Sequence, residues 1–152
     1  FLKKYVLAAG TAQVSRSAIE ARAMGYLLAE DRIVFHRQEL LYAAIREAKA
    51  MSDAGYRPPR RSTFRVAGRA GIATVSAQML NMRDGGFISA HDYHLGRTIA
   101  EVMCGGEVDP GSLVDEEWLM ALERKAFTSL LTHPKTQERI MGMMQTGKPV
   151  RN

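Results

Sequence analysis

The chain has 152 residues, enough for one domain with an apolar core. Its 46% apolar and 24% charged residues are ordinary for a globular protein, which excludes a disordered chain. The formal charge of +5 invites a polyanionic partner, while a single cysteine excludes an internal disulfide.

Helical periodicity dominates from the first residues. Residues 1–9 read as the end of a helix interrupted at Gly10-Thr11. Ser17 opens a short helix as its cap, with Glu20 three positions on completing a capping box and Gly25 as the stop. Asp31-Arg32-Ile33-Val34-Phe35 is a short β-prone run. A longer helix is expected over 38–54, with Leu41, Ala44, Ala48 and Met51 on one face and Gly55 at its end. Pro58 and Pro59 forbid a regular continuation, so residues 57–66 read as a basic linker.

Four helices are predicted after the linker. The first carries Ile72, Val75, Met79 and Met82 inward and stops at Gly85-Gly86. Ser89 and Asp92 then form a capping-box pattern for a helix burying Leu95, Ile99 and Val102. Gly105-Gly106 and Pro110-Gly111 separate it from the third. Ser112 or Asp115 caps that third helix, and its stripe is Leu119, Leu122, Ala126 and Leu130. Pro134 suits the first turn of the last helix, which runs through Ile140 and Met143. The expected fold class is mainly α.

Chemistry is harder to find. His91 and His94 are spaced to share a helix face, but His36 and His133 stand at no spacing that supplies a third metal ligand. Asp92 already has a structural role as partner of Ser89, and the two histidines are expected to face solvent. Cys104, between Met103 and Gly105, reads as a small buried residue. Gly68-Arg69-Ala70-Gly71 lacks both dinucleotide and P-loop spacing. Arg57, Arg60, Arg61, Arg65 and Arg69 could meet phosphates, yet no aromatic interleaving accompanies them, so a nucleic-acid role is the weaker reading. The methionines fall mostly at core spacing. These residues supply no catalytic residue and no metal site, and they single out no cofactor-binding residue. A chain that begins at Phe1 is compatible with a piece of something longer, and the run after Lys3 and Lys4 is too short for a signal peptide. No apolar run approaches the roughly 20 residues of a membrane span, and the cysteine usage fits a cytoplasmic setting.

A resemblance adds what the spacing does not. Ser17-Ala18-Ile19-Glu20-Ala21, Gly25-Tyr26-Leu27, Asp31-Arg32-Ile33-Val34 and Glu39-Leu40-Leu41 resemble the later part of the crotonase (enoyl-CoA hydratase/isomerase) family. Further on, Asp53 to Pro59, Asn81 to Ser89, His91-Asp92-Tyr93, Val102 to Gly106, Ser112 to Glu116, Glu123 to Phe127 and Thr146 to Asn152 look like one branch of it. That branch is the large bacterial fusion of an NAD-dependent 3-hydroxyacyl-CoA dehydrogenase with an enoyl-CoA hydratase, the hydratase-like part coming last. The resemblance implies residues 1–56 as the end of the hydratase domain, 57–66 as the linker and 67–152 as a helical C-terminal extension. It implies an acyl-CoA substrate and NAD for the parent, no cofactor in this segment, and oxyanion-hole and acid–base elements lying upstream. Glu20, Glu39 and Glu123 are therefore expected to cap helices or face solvent. The partners implied are the rest of the parent polypeptide and further copies of the chain.

Overall fold

The computed structural model of the protein describes residues 2–152. Helix makes up 62% of the chain and strand 3%, so the mainly α fold class holds. Two units divide it: residues 1–12 with 61–152, and residues 13–60.

The larger unit contains α1 (Leu2–Gly10), β1 (Phe64–Arg65), α4 (Gly68–Asp84), α5 (Ala90–Met103), β2 (Leu113–Val114), α6 (Glu116–Leu131) and α7 (Pro134–Thr146). The smaller contains α2 (Ala18–Met24), a 3₁₀ turn (Arg37–Glu39) and α3 (Leu40–Asp53). Sequence reading placed residues 1–56 together. In the structure α1 packs on α5 and buries Val6 and Ala8 there, so its residues go with the later part of the chain.

The pairing of α4 with α5 forms the core of the larger unit, and small residues make it possible. A side chain added at Gly71 would meet the Cys104 sulfur at 2.8 Å, and one at Gly96 would meet the Met79 methyl at 1.9 Å. Ala100 and Cys104 are fully buried on this face, with Ile72 opposite. Leu95, Ile99 and Val102 are half-buried beside it, so the tightest contact runs along His91, Gly96, Ala100 and Cys104. Of the predicted α4 face, Ile72, Val75 and Met79 lie inward and Met82 sits at the exposed edge.

Backbone bonds lock the ends of this pair. Gly68 N donates to Cys104 O at 2.7 Å and Arg69 N to Val108 O at 2.9 Å. Strands β1 and β2 are antiparallel, Phe64 opposite Val114 and Arg65 opposite Leu113. No period-2 signal is legible in two-residue strands. Trp118, on the first turn of α6, donates its indole N–H to Gly105 O at 3.0 Å and ties α6 to the end of α5.

The caps mostly follow the sequence. Ser89 and Asp92 form a complete capping box, Asp115 accepts from Trp118 N, and Pro134 lies in the first turn of α7. Ser17 caps α2 and Gly25 stops it at φ 88°, but the reciprocal leg differs. Glu20 takes the N–H of Arg16 at 2.6 Å, leaving the predicted box half made. The stripe Leu119, Leu122, Ala126, Leu130 is the least exposed face of α6. In α7 the expected inward residues Ile140 and Met143 are exposed at 40% and 46%. Thr136, Arg139 and Gly142 face inward instead, because polar anchors set the rotation of this helix.

Residues 13–60 contain no buried residue. The run Asp31–Phe35 is irregular, since no strand pairs with it, and Phe35 is 84% exposed. The apolar stripe of α3 exists as predicted, yet Leu41 is 71% exposed and Met51 41%. The whole chain exposes 11823 Å². A folded monomer of its mass exposes about 7,700 Å², and two separate bodies of these lengths about 9,000 Å². Apolar faces are therefore left uncovered.

Gly68 provides a test of the core. Its φ is +55°, and an added Cβ would meet Val108 O at 2.2 Å. Gly68→Ala is expected to cost about 3 kcal/mol through strain and backbone clash. Gly86→Ala, at φ +75° with open space around it, should cost only about 1 kcal/mol. Urea denaturation of both variants checks the difference.

Candidate functional site

The first turn of α5 gathers a dense set of polar side chains. The capping box positions it: Ser89 Oγ accepts from Asp92 N at 3.0 Å and Asp92 Oδ2 accepts from Ser89 N at 3.0 Å. This leaves Oδ1 of Asp92 for Arg139 of α7, whose Nη1 donates at 2.8 Å. Both partners are more than two-thirds buried. Arg139 is held from behind by Asn152, its Nε donating to Oδ1 at 2.7 Å. Asn152 in turn donates to Lys135 O at 3.0 Å and to Glu138 Oε2 at 2.7 Å. Burial alone raises the Asp92 carboxyl, but the Ser89 N–H, Arg139 and the Ser89 hydroxyl outweigh it and hold it below its ordinary value.

Three histidines meet beside this pair. His91 is only 2% exposed, and its Nε2 lies 3.1 Å from Thr136 Oγ1. Its ring centroid is 4.5 Å from that of His133 and 6.1 Å from that of His94. His94 and His133 are 5.3 Å apart. The sequence expectation that His91 faces solvent is thus corrected, and His133, which no spacing linked to the pair, stacks on it. The α6–α7 turn brings His133 back onto α5, a contact between residues 42 positions apart that no local spacing encodes. His94 is exposed, as expected. The rings lie at 27–32° to one another, face to face rather than converging on a point. Among the described residues no group of three or more His, Cys, Asp or Glu side chains is placed to hold a metal ion.

Next to the cluster is a groove of about 580 Å³ between α1, α4 and α5. Val6, Val75, Met79, Leu95 and Ile99 make its apolar walls, and Lys3, Arg139 and Arg151 stand at its edge. A second hollow of about 580 Å³ lies within residues 13–60, between the 32–36 segment and α3, where Arg32 pairs with Glu47 at 3.2 Å.

The remaining candidates are placed as follows. Cys104 is fully buried, and burial pushes its thiol up, so it is a poor nucleophile. Glu39 and Glu123 face solvent, and Glu20 is spent on Arg16 N. Gly68 at the start of α4 is filled by Val108 O and bonded to Cys104 O, which leaves no cradle for a pyrophosphate. Of the basic residues around the linker, Arg61 pairs with Glu117, Arg69 with Asp109, and Arg65 donates to Gly111 O at 2.8 Å. Arg57 and Arg60 are exposed. No helix is long and apolar enough to cross a membrane among the described residues.

Comparison with curated proteins finds a Bacillus subtilis (strain 168) protein named "Probable 3-hydroxyacyl-CoA dehydrogenase". It is 41% identical over 141 residues, covering 93% of this chain and 18% of that protein. Nearly the whole of this chain is therefore similar to less than a fifth of a dehydrogenase. No family model matches the sequence. No solved structure matches it either.

Removing parts of the α5 anchor tests the electrostatics. Ser89→Ala is expected to cost about 1 kcal/mol. Asp92→Asn should cost roughly 2 kcal/mol at neutral pH, since it unpairs Arg139. The folded carboxyl titrates below its ordinary 3.8, so its contribution is full above that value and is lost as pH falls through the lower one. Urea midpoints of wild type and Asp92→Asn at about pH 7 and about pH 3 should therefore differ at the first and draw together at the second.

Proposed function

We propose that this chain is a C-terminal helical region of a multi-domain fatty-acid β-oxidation enzyme, a 3-hydroxyacyl-CoA dehydrogenase fused to an enoyl-CoA hydratase. Its role there is to cover the acyl-CoA site and to make domain or subunit contacts. It holds no complete active site. The observation that carries the reading is 41% identity across 93% of the chain to 18% of a named dehydrogenase.

The physical state of residues 13–60 supports the same reading. A segment with two helices, a regular apolar stripe and no buried residue needs another surface to cover it. The hydratase half rests on the resemblance of Ser17–Ala21, Gly25–Leu27, Asp31–Val34 and Glu39–Leu41 to the crotonase pattern. In the parent, NAD would accept the hydride of the 3-hydroxyacyl-CoA. The residues present here do not fit that cofactor, because the only glycine pair opening a helix among the described residues, Gly68 and Gly71, is packed against Val108 O and Cys104. No step of the reaction is therefore assigned to this chain.

A second reading is a stand-alone interaction module, favoured by the larger unit having a core of its own around Ala100 and Cys104. Immunodetection in the native host, with an antibody to this segment, separates the two. A band several times heavier than 16.9 kDa is expected, and a band at that mass would favour the module. The isolated chain is expected to be inert towards enoyl-CoA and 3-hydroxyacyl-CoA with NAD. Sedimentation should show self-association through its uncovered apolar faces, whereas a sharp monomer at high concentration would count against it.

A further inference from the structure

His91 is a buried base with polar and charged neighbours from several elements. Its own helix gives Asp92 and His94, the α6–α7 turn gives His133, and α7 gives Lys135, Thr136 and Arg139. The one acid, Asp92, is committed to Ser89 and Arg139. From α1 and the chain end, Lys3 and Arg151 line the adjoining groove together with Asp92 and Arg139. From α4, Arg83 lies over the Tyr93 ring at 5.0 Å and is bonded to Asp84 at 2.8 Å. The surroundings of the ring are thus dominated by fixed positive charge.

The hydrogen bonding of the ring favours its neutral form. Nε2 is matched to Thr136 Oγ1, whereas Nδ1 is buried and has no partner among the described residues. An imidazolium donates from both nitrogens, and here one of those donors would point at nothing. His133, stacked on this ring, is held in place by its Nδ1, which accepts from Lys135 N at 3.2 Å.

We propose that His91, stacked on His133 and bonded to Thr136, forms a proton-operated latch between α5 and α7. At neutral pH its uncharged ring closes the junction. On acidification it gains a charge beside Lys135 and Arg139, and α7 with residues 147–152 comes away from the first turn of α5. The groove that Arg139 and Asp92 border opens at that end. The latch concerns only the α5–α7 junction, and it stands whether or not the chain serves a dehydrogenase.

The direction of titration agrees. Burial, then the charges of Arg139, His133, His94 and Lys135, hold His91 below the ordinary 6.5. Its contribution to stability is therefore full above that value and is lost as pH falls through the lower, folded one.

Hydrogen exchange of the full 152-residue chain, read by mass spectrometry at about pH 7.5 and about pH 5, tests the latch after correction for intrinsic rates. Peptides covering 133–152 should lose protection on the order of tenfold at the lower pH, ahead of α4 and the second half of α5. His91→Gln keeps a donor for Thr136 but cannot take a proton, and it should flatten the difference. Lys135→Gln removes an exposed cation and should move the loss to lower pH. Protection of 133–152 that does not change with pH in the wild type would overturn the proposal. So would a loss that persists unaltered in both variants. If His91→Gln does not fold, Lys135→Gln decides alone: an unshifted loss overturns the latch.

Discussion

Helices α4 and α5 approach so closely that glycine is required at two of their contacts, and the larger unit is arranged around that approach. Gly71 gives room to Cys104 and Gly96 gives room to Met79. Packing at this distance excludes water from Ala100 and Cys104 and makes dispersion contacts dense where side chains are small. The ends of the pair are then fixed by backbone bonds, Gly68 to Cys104 and Arg69 to Val108. Residues 105–111 are thereby pinned against the start of α4. Strands β1 and β2, with only two residues each, persist because the segments on both sides are already held. The Trp118 indole bond to Gly105 carries the same constraint into α6.

Polar anchoring takes over where apolar packing thins. Helix α7 has apolar residues at Ile140 and Met143, and a reading by periodicity puts them inside. The helix is instead rotated so that Arg139 reaches Asp92 and Thr136 reaches His91. A partly buried ion pair with two further Arg139 donors taken by Asn152 outweighs the burial of two flexible side chains at a surface. The price is a junction whose strength depends on protonation states.

Local signals in the sequence were sufficient for most of the fold. Ser89 with Asp92, Asp115, Pro134 and Gly25 each act within four residues, and each stands where its chemistry requires. The stripes of α4 and α6 were legible for the same reason. The histidine cluster was not, because His133 meets His91 only after a whole helix has turned back. A hint existed in the oddity of a His immediately before Pro134 at a helix start, opposite a His pair at another helix start. The β-prone run Asp31–Phe35 stays irregular for want of a partner strand, which no window of sequence can supply. The stripe of α3 was read from its period, and the period was right; none of the described residues covers it.

The burial of Cys104 has a practical consequence for measuring this architecture. It is the only thiol in the chain, it is 0% exposed, and it sits at the end of α5 against Gly71 of α4. A thiol reagent can reach it only when those helices part. With opening fast and reagent dilute, the labelling rate is the rate for a free thiol multiplied by the fraction of molecules open at that moment. The sulfur is thus a built-in counter of how often the core separates, and it is silent while residues 13–60 or α7 move by themselves.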